Sequence, residues 1–213
     1  MTKNKHMNKF NDNFKTELYQ TIEDIEDNSL VEVVAMVKAQ SGSYRDISFG
    51  AGAVILFLAY TYFMFAPTIF DVYLIYFMTI IAFIIGYAIV EFITPVKRVL
   101  TSKKRKNKNV EVYGRAIFQK GGIRHTSEKV GIVIYVSLFE KKVYIIADRG
   151  AETSIPGEEW KKINEGFQNI FKAPDFNKAL IENLKSCKLI FSKYIPSTED
   201  DINELPDDLD IDI

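Results

Sequence analysis

Between Asp46 and Glu91 the chain carries one charged residue, Asp71, which splits the stretch into uncharged runs of 24 residues (47–70) and 19 residues (72–90). An α-helix rises about 1.5 Å per residue, so roughly 20 apolar residues cover the ~30 Å hydrocarbon core of a bilayer. Two such runs joined by a turn at Ala66, Pro67 and Asp71 predict a transmembrane hairpin over 47–93, with helices at 47–66 and 71–91. A freely soluble enzyme is excluded on this ground. With 47% hydrophobic residues and one cysteine, Cys187, so are a disordered chain and a disulfide-stapled module.

Charge outside the hairpin is segregated. Residues 199–213 hold eight acids and no base, so the net charge of -1 conceals +7 on the rest of the chain. Seven bases fall between 97 and 108 with no acid among them: Lys97, Arg98, Lys103, Lys104, Arg105, Lys106 and Lys108. Directly after a transmembrane segment, such a run is read as a surface for anionic lipid headgroups rather than for nucleic acid. The turn between the apolar runs has no Lys or Arg, whereas Lys38, Arg45 and the 97–108 run flank them. The positive-inside rule then predicts both termini in the cytoplasm. Met1 to Asn28 has no apolar core of the kind a signal peptide requires.

Periodicity supplies the remaining elements. From Asn13 to Asp27, Phe14, Leu18, Ile22 and Ile25 recur at helical spacing, and Leu30 to Ala39 is rich in the β-branched residues of a buried strand. After the basic run, Val110, Tyr113, Ile117 and Phe118 share a helix face that ends at Gly121-Gly122. Gly131–Leu138 and Val143–Ala147 predict a strand pair turned at Glu140-Lys141-Lys142, with Glu140 as a hairpin-turn residue. Ser154 and Pro156 predict the start of a helix carrying Trp160, Ile163, Phe167 and Phe171, and Phe176, Leu180, Leu184, Cys187 and Phe191 mark a last one. This order gives an α/β layered domain with a small mixed sheet, built from residues 13–40 and 107–192 and interrupted by the hairpin. The first two strands should be parallel and the third should run back. The acidic tail, 197–213, is expected to be disordered.

The order of elements, the segment Thr126 to Gly150 (TSEKVGIVIYVSLFEKKVYIIADRG) and the following Trp160 resemble the TPM domain family over residues 14–191. Within it the chain is similar to bacterial membrane proteins in which a transmembrane hairpin follows the first strand. The resemblance implies a Rossmann-like fold and, among its members, acid phosphatase activity, divalent cation binding (calcium or magnesium) or assembly of membrane complexes. It also implies a two-pass protein of the bacterial inner membrane, with the TPM-like domain cytoplasmic by the charge argument above.

Candidate site residues cluster at one predicted sheet edge, where the third strand ends and the first two begin: Asp148, Arg149, Gly150, Thr126 and His125. Asp148 can ligate a cation through its carboxylate, and Arg149 with the amides opening the Ser154 helix can bind an anion. The plainer reading makes Gly150 a positive-φ turn residue and Asp148 and Arg149 its solvated neighbours. Zinc is excluded by the single cysteine and by two histidines, His6 and His125, without ligand spacing. Neither a phosphate loop nor a G-x-S-x-G elbow occurs, and Gly50-x-Gly52, inside an apolar run, is read as a packing feature. With no catalytic constellation, the expected function is a membrane-anchored, non-catalytic binding or assembly module for a membrane protein complex. The alternative implied by the resemblance is a weak divalent-metal-dependent phosphatase with Asp148 as a metal ligand.

Overall fold

Every residue of the strand Ile132–Ser137 is buried, so this strand must be covered on both faces and paired on both edges. In the computed structural model it is the middle of the sheet. The structure describes residues 12–120, 123, 126 and 128–198 and the backbone of 211–212. In chain order the elements are α1 (Asp12–Glu26), β1 (Val33–Lys38), α2 (Arg45–Phe65), α3 (Val72–Phe92), α4 (Thr94–Leu100), α5 (Lys103–Lys120), β2 (Ile132–Ser137), β3 (Lys142–Ala147), α6 (Arg149–Ser154), α7 (Gly157–Asn169), a 3-10 turn (Ile170–Lys172), α8 (Phe176–Tyr194) and β4 (Ile211–Asp212).

The chain divides into two compact units, one of Met1–Ser41 with Asn107–Ile213 and one of Gly42–Lys106. In the first, the sheet order is β3-β2-β1-β4. β1 and β2 are parallel from Val33↔Ile132 to Lys38↔Ser137, and β2 and β3 are antiparallel from Ile132↔Ala147 to Ser137↔Lys142, as the sequence predicts. The two residues of β4 lie parallel to Val37 and Lys38. The rest of the acidic tail from residue 199, like the predicted cap at Gly121-Gly122, lies outside the described residues.

The sheet separates two apolar clusters. On one face Phe14, Leu18, Ile22 and Ile25 of α1, Ile163 and Phe167 of α7, and Leu180, Leu184 and Phe191 of α8 close over Val33, Ala35, Ile132 and Ile134. On the other, Val110 of α5 packs with Val133 and Tyr135, supported by Tyr113, Ile117 and Phe118. These are the residues that the helical and strand periodicities single out. Burial of such side chains stabilises by about 1.5–3 kcal/mol each before entropy is set against it. At the end of α8, Ile195 O accepts from Leu30 N at 3.2 Å, and Ser29 and Pro196 form an antiparallel bridge.

In the second unit α2 and α3 are 21 residues each and are long and apolar enough to cross a membrane. Phe57, Leu58, Tyr62, Phe65, Tyr73, Tyr76 and Ile84 are exposed, a surface that a core helix of a soluble protein does not show. Asp71 caps α3, accepting from Tyr73 N at 2.8 Å. Pro95 does not merely end α3: it occupies the first turn of the separate helix α4, where its missing N–H is harmless. At the open end of the hairpin Glu91 Oε2 accepts from Ser48 Oγ at 2.7 Å and pairs with Lys97 Nζ at 2.8 Å. Arg105 forks onto Asp46 (Nη2 to Oδ1, 2.8 Å), donates to Ser43 O at 3.0 Å and lies over the Tyr44 ring. Lys97 and Arg105, predicted to face lipid, are thus committed to carboxylates, because isolated charges at the end of an apolar bundle are costly unless paired. The basic run is largely helical, Lys103 to Lys108 forming the start of α5.

Cys187 is buried in α8 and its thiol is pushed up to about 12 by that burial. The thiolate is the nucleophile, so the folded protein at pH 8 should resist iodoacetamide and become labelled only on unfolding; native-state labelling at the rate of free cysteine would contradict this packing.

Candidate functional site

Both ends of the sheet carry polar residues. At the end where β1 and β2 begin and β3 finishes, Asp148 N donates to Gly131 O at 2.8 Å and Gly150 N to Lys129 O at 2.9 Å. Lys129 N in turn donates to Thr126 O at 3.1 Å. Thr126, Asp148, Arg149 and Gly150 are thereby brought to one corner, while His125 lies outside the described residues. Thr126 is buried, and its hydroxyl has no hydrogen-bond partner among the described residues.

Asp148 is the N-cap of α6, its Oδ1 accepting from Arg149 N at 2.7 Å. The sequence reading placed the helix start at Ser154, but Ser154 ends the six-residue α6, and α7 begins at Gly157 behind Pro156. Proline at this point fixes φ and separates two helices that periodicity alone merges. The helix amides at this corner are those that open α6 at Arg149, rather than those of a helix starting at Ser154. Gly150 also differs from expectation. Among the described non-glycine residues the positive-φ ones are Lys129 (56°) and Lys141 (51°), and Gly150 is needed because a Cβ there would stand 2.5 Å from Glu128 O and 2.6 Å from Lys129 O.

Calcium takes six to eight oxygen ligands, and magnesium a near-octahedral set. Among the described residues no group of three His, Cys, Asp or Glu is placed to hold a metal ion. Asp148 accepts the backbone N–H of Arg149 as a helix cap, and the described part of this corner does not supply that donor set.

The opposite sheet end holds a buried network that sequence reasoning missed. Glu140, expected in a solvated turn, is 4% exposed, and Ser137 is fully buried. Glu140 Oε1 accepts from Ser41 N at 3.0 Å, and Oε2 accepts a short hydrogen bond from Ser137 Oγ. Ser41 Oγ lies 2.8 Å from both Ser137 Oγ and the Tyr135 hydroxyl. The Tyr135 phenol is pushed above its ordinary value chiefly by burial, and Tyr113 stacks on its ring at 5.3 Å with Lys38 Nζ over the Tyr113 face. The signal in the sequence is faint: alternation puts Tyr135 and Ser137 on one face of β2, but nothing local says that Ser41 returns to meet them.

An α/β layered domain whose first strand leads into two apolar helices defines the class. Residues 97–188 match the family model described as TPM domain, the family that the sequence resembles. A solved structure, the NMR structure of BA42 protein from the psychrophilic bacterium Bizionia argentinensis, is similar in fold: TM-score 0.58 at 16% identity, over 94% of each chain. No curated protein matches the sequence.

Two sets of variants test the geometry, read by the fluorescence of the single tryptophan, Trp160, during denaturant unfolding of the full-length protein in mild detergent. Glu140→Ala leaves two buried donors without an acceptor and should destabilise by about 1–3 kcal/mol, Glu140→Gln by clearly less. Equal small losses would show that the network contributes nothing. Gly150→Val should cost roughly 1–3 kcal/mol through the backbone clash, whereas Gly157→Ala, in open space, should be close to neutral.

Proposed function

We propose that the protein is a membrane-anchored TPM domain that acts as a binding and assembly module for a membrane protein complex. The observation that supports it most is how the apolar unit is built into the domain. The chain leaves the sheet after β1 and re-enters it through α5, and its exit residue Ser41 is fastened by backbone and side chain to Glu140, Ser137 and Tyr135. A tail anchor on a flexible linker lets a catalytic domain roam. Insertion between two adjacent strands instead joins the folded sheet to the hairpin through two chain connections, which suits a domain that must meet partners at the bilayer. The excess of Lys and Arg around the hairpin supports a cytoplasmic domain with both termini on that side.

A second reading, hydrolysis of phosphomonoesters at the Asp148 corner, has one observation in its favour: the buried Thr126 hydroxyl, without a partner among the described residues. Natural proteins rarely leave such groups unpaired without a use.

The deciding experiment isolates the tagged full-length protein from its native membrane in mild detergent. Under the assembly reading a membrane protein accompanies it in near-stoichiometric amount and is lost on deletion of 197–213 or mutation of the Asp148 turn. A solitary protein with phosphatase activity that Asp148→Ala abolishes would favour the second reading. Activity that survives Asp148→Ala would sink that reading.

A further inference from the structure

Three glycines lie in α2 and α3, and two are explained by the contact between these helices. A Cβ on Gly52 would meet the Phe83 ring at 2.9 Å, and one on Gly86 would meet Ile55 at 2.9 Å. Gly50 has nothing within 4 Å of its notional Cβ. Glycine inside a helix costs about 1 kcal/mol relative to alanine, so internal packing gives no reason for its presence here. Its bare backbone instead forms part of an open groove of about 510 Å³ between the two helices.

Apart from Asp46, the groove is lined by apolar residues: Gly50, Ala51 and Val54 on α2, Gly86 and Ile89 on α3, and Leu100 of α4. Its depth is limited. The α2 lining runs from Asp46 to Ile55, which at 1.5 Å per residue is about 14 Å, half the thickness of a bilayer core. Beyond it the helices expose Phe57, Tyr62, Phe65, Tyr73 and Tyr76. A membrane-crossing helix would need a notch that continues through both leaflets. A lipid acyl chain needs one leaflet.

The chain that follows Leu100, a lining residue, is basic. Asp46 is neutralised by the forked pair with Arg105, and the guanidinium is held above its ordinary value by that hydrogen bond. Lys103 and Lys104 are exposed and follow Leu100 within four residues, in a segment without acids. Lys and Arg near a bilayer surface attract anionic headgroups.

We propose that this groove is a binding site for an anionic phospholipid, with one acyl chain laid along Gly50 and the phosphate held by Lys103 and Lys104. The inference rests on the hairpin being in the bilayer, and alkaline carbonate extraction of native membranes tests that premise separately. Extraction of the protein into the supernatant overturns the membrane reading itself.

The site is tested on the full-length protein in mild detergent by native mass spectrometry during titration with phosphatidylglycerol or phosphatidylcholine. The wild type should hold one phosphatidylglycerol per chain, at least about tenfold more tightly than phosphatidylcholine. Gly50→Leu, whose side chain enters open space, should weaken both lipids by about tenfold or more. Lys103→Gln with Lys104→Gln leaves the helix packing untouched and should remove the headgroup preference while acyl-chain binding persists. Equal binding of the two lipids by the wild type, or an unchanged preference in the double lysine variant, overturns the proposal. So does undiminished binding by a folded Gly50→Leu protein, or a Gly50→Leu change in oligomeric state, which would make the groove a contact between copies.

Discussion

The parallel pairing of β1 with β2 is the constraint on which the rest of the structure depends. Val33–Lys38 and Ile132–Ser137 lie about a hundred residues apart, yet they are hydrogen-bonded neighbours, and every residue of β2 is buried once they meet. Parallel strands cannot be joined by a tight turn, so a crossover must carry the chain from one end of the sheet back to the other. Here the crossover contains the hairpin as well as α5. Closing a loop of this length costs entropy that grows only slowly with length, and α2 and α3 pack as their own unit, which shortens the effective connection. An insertion of this size is thermodynamically tolerable at this one place because the chain is already obliged to make a long excursion there.

Fastening the excursion explains the buried polar network. A sheet end from which the chain departs has backbone groups to satisfy and a direction to fix, and Ser41 N, Ser137 Oγ and Glu140 do both. A carboxylate at 4% exposure is tolerable because its oxygens receive donors. At the other sheet end Asp148 spends its oxygen on a helix cap, and Gly150 allows two turns to touch. In both places residues that look chemically available in the sequence are first of all structural. Thr126, in contrast, is buried with a hydroxyl that has no partner among the described residues.

The same logic governs the base of the hairpin. Seven bases between 97 and 108 suggest a uniform lipid-facing surface, but Lys97 and Arg105 are taken by Glu91 and Asp46, carboxylates at the ends of α3 and α2. Pairing neutralises charge where the apolar helices end and leaves Lys103 and Lys104 to solvent. The basic run is thus divided between paired and exposed residues, and which residue is which depends on helix phase in three dimensions.

Much of the fold follows from local pattern. Two uncharged runs are long enough for a bilayer, the 3.6-residue spacing of Phe14, Leu18, Ile22 and Ile25 requires one buried face, and β-branched runs at 31–38 and 131–138 require strands; each is a property of a few consecutive side chains. Capping at Asp148, the split at Pro156 and the close approach at Gly150 were misread because they turn on which backbone groups a neighbouring segment presents. The meeting of Ser41 with Ser137 and Glu140 joins positions almost a hundred residues apart, and the pairing of Arg105 with Asp46 spans nearly sixty. Periodicity is written along the chain and determines what is buried. Partnership between distant polar groups exists only after strands and helices have docked, and the tertiary structure alone decides it.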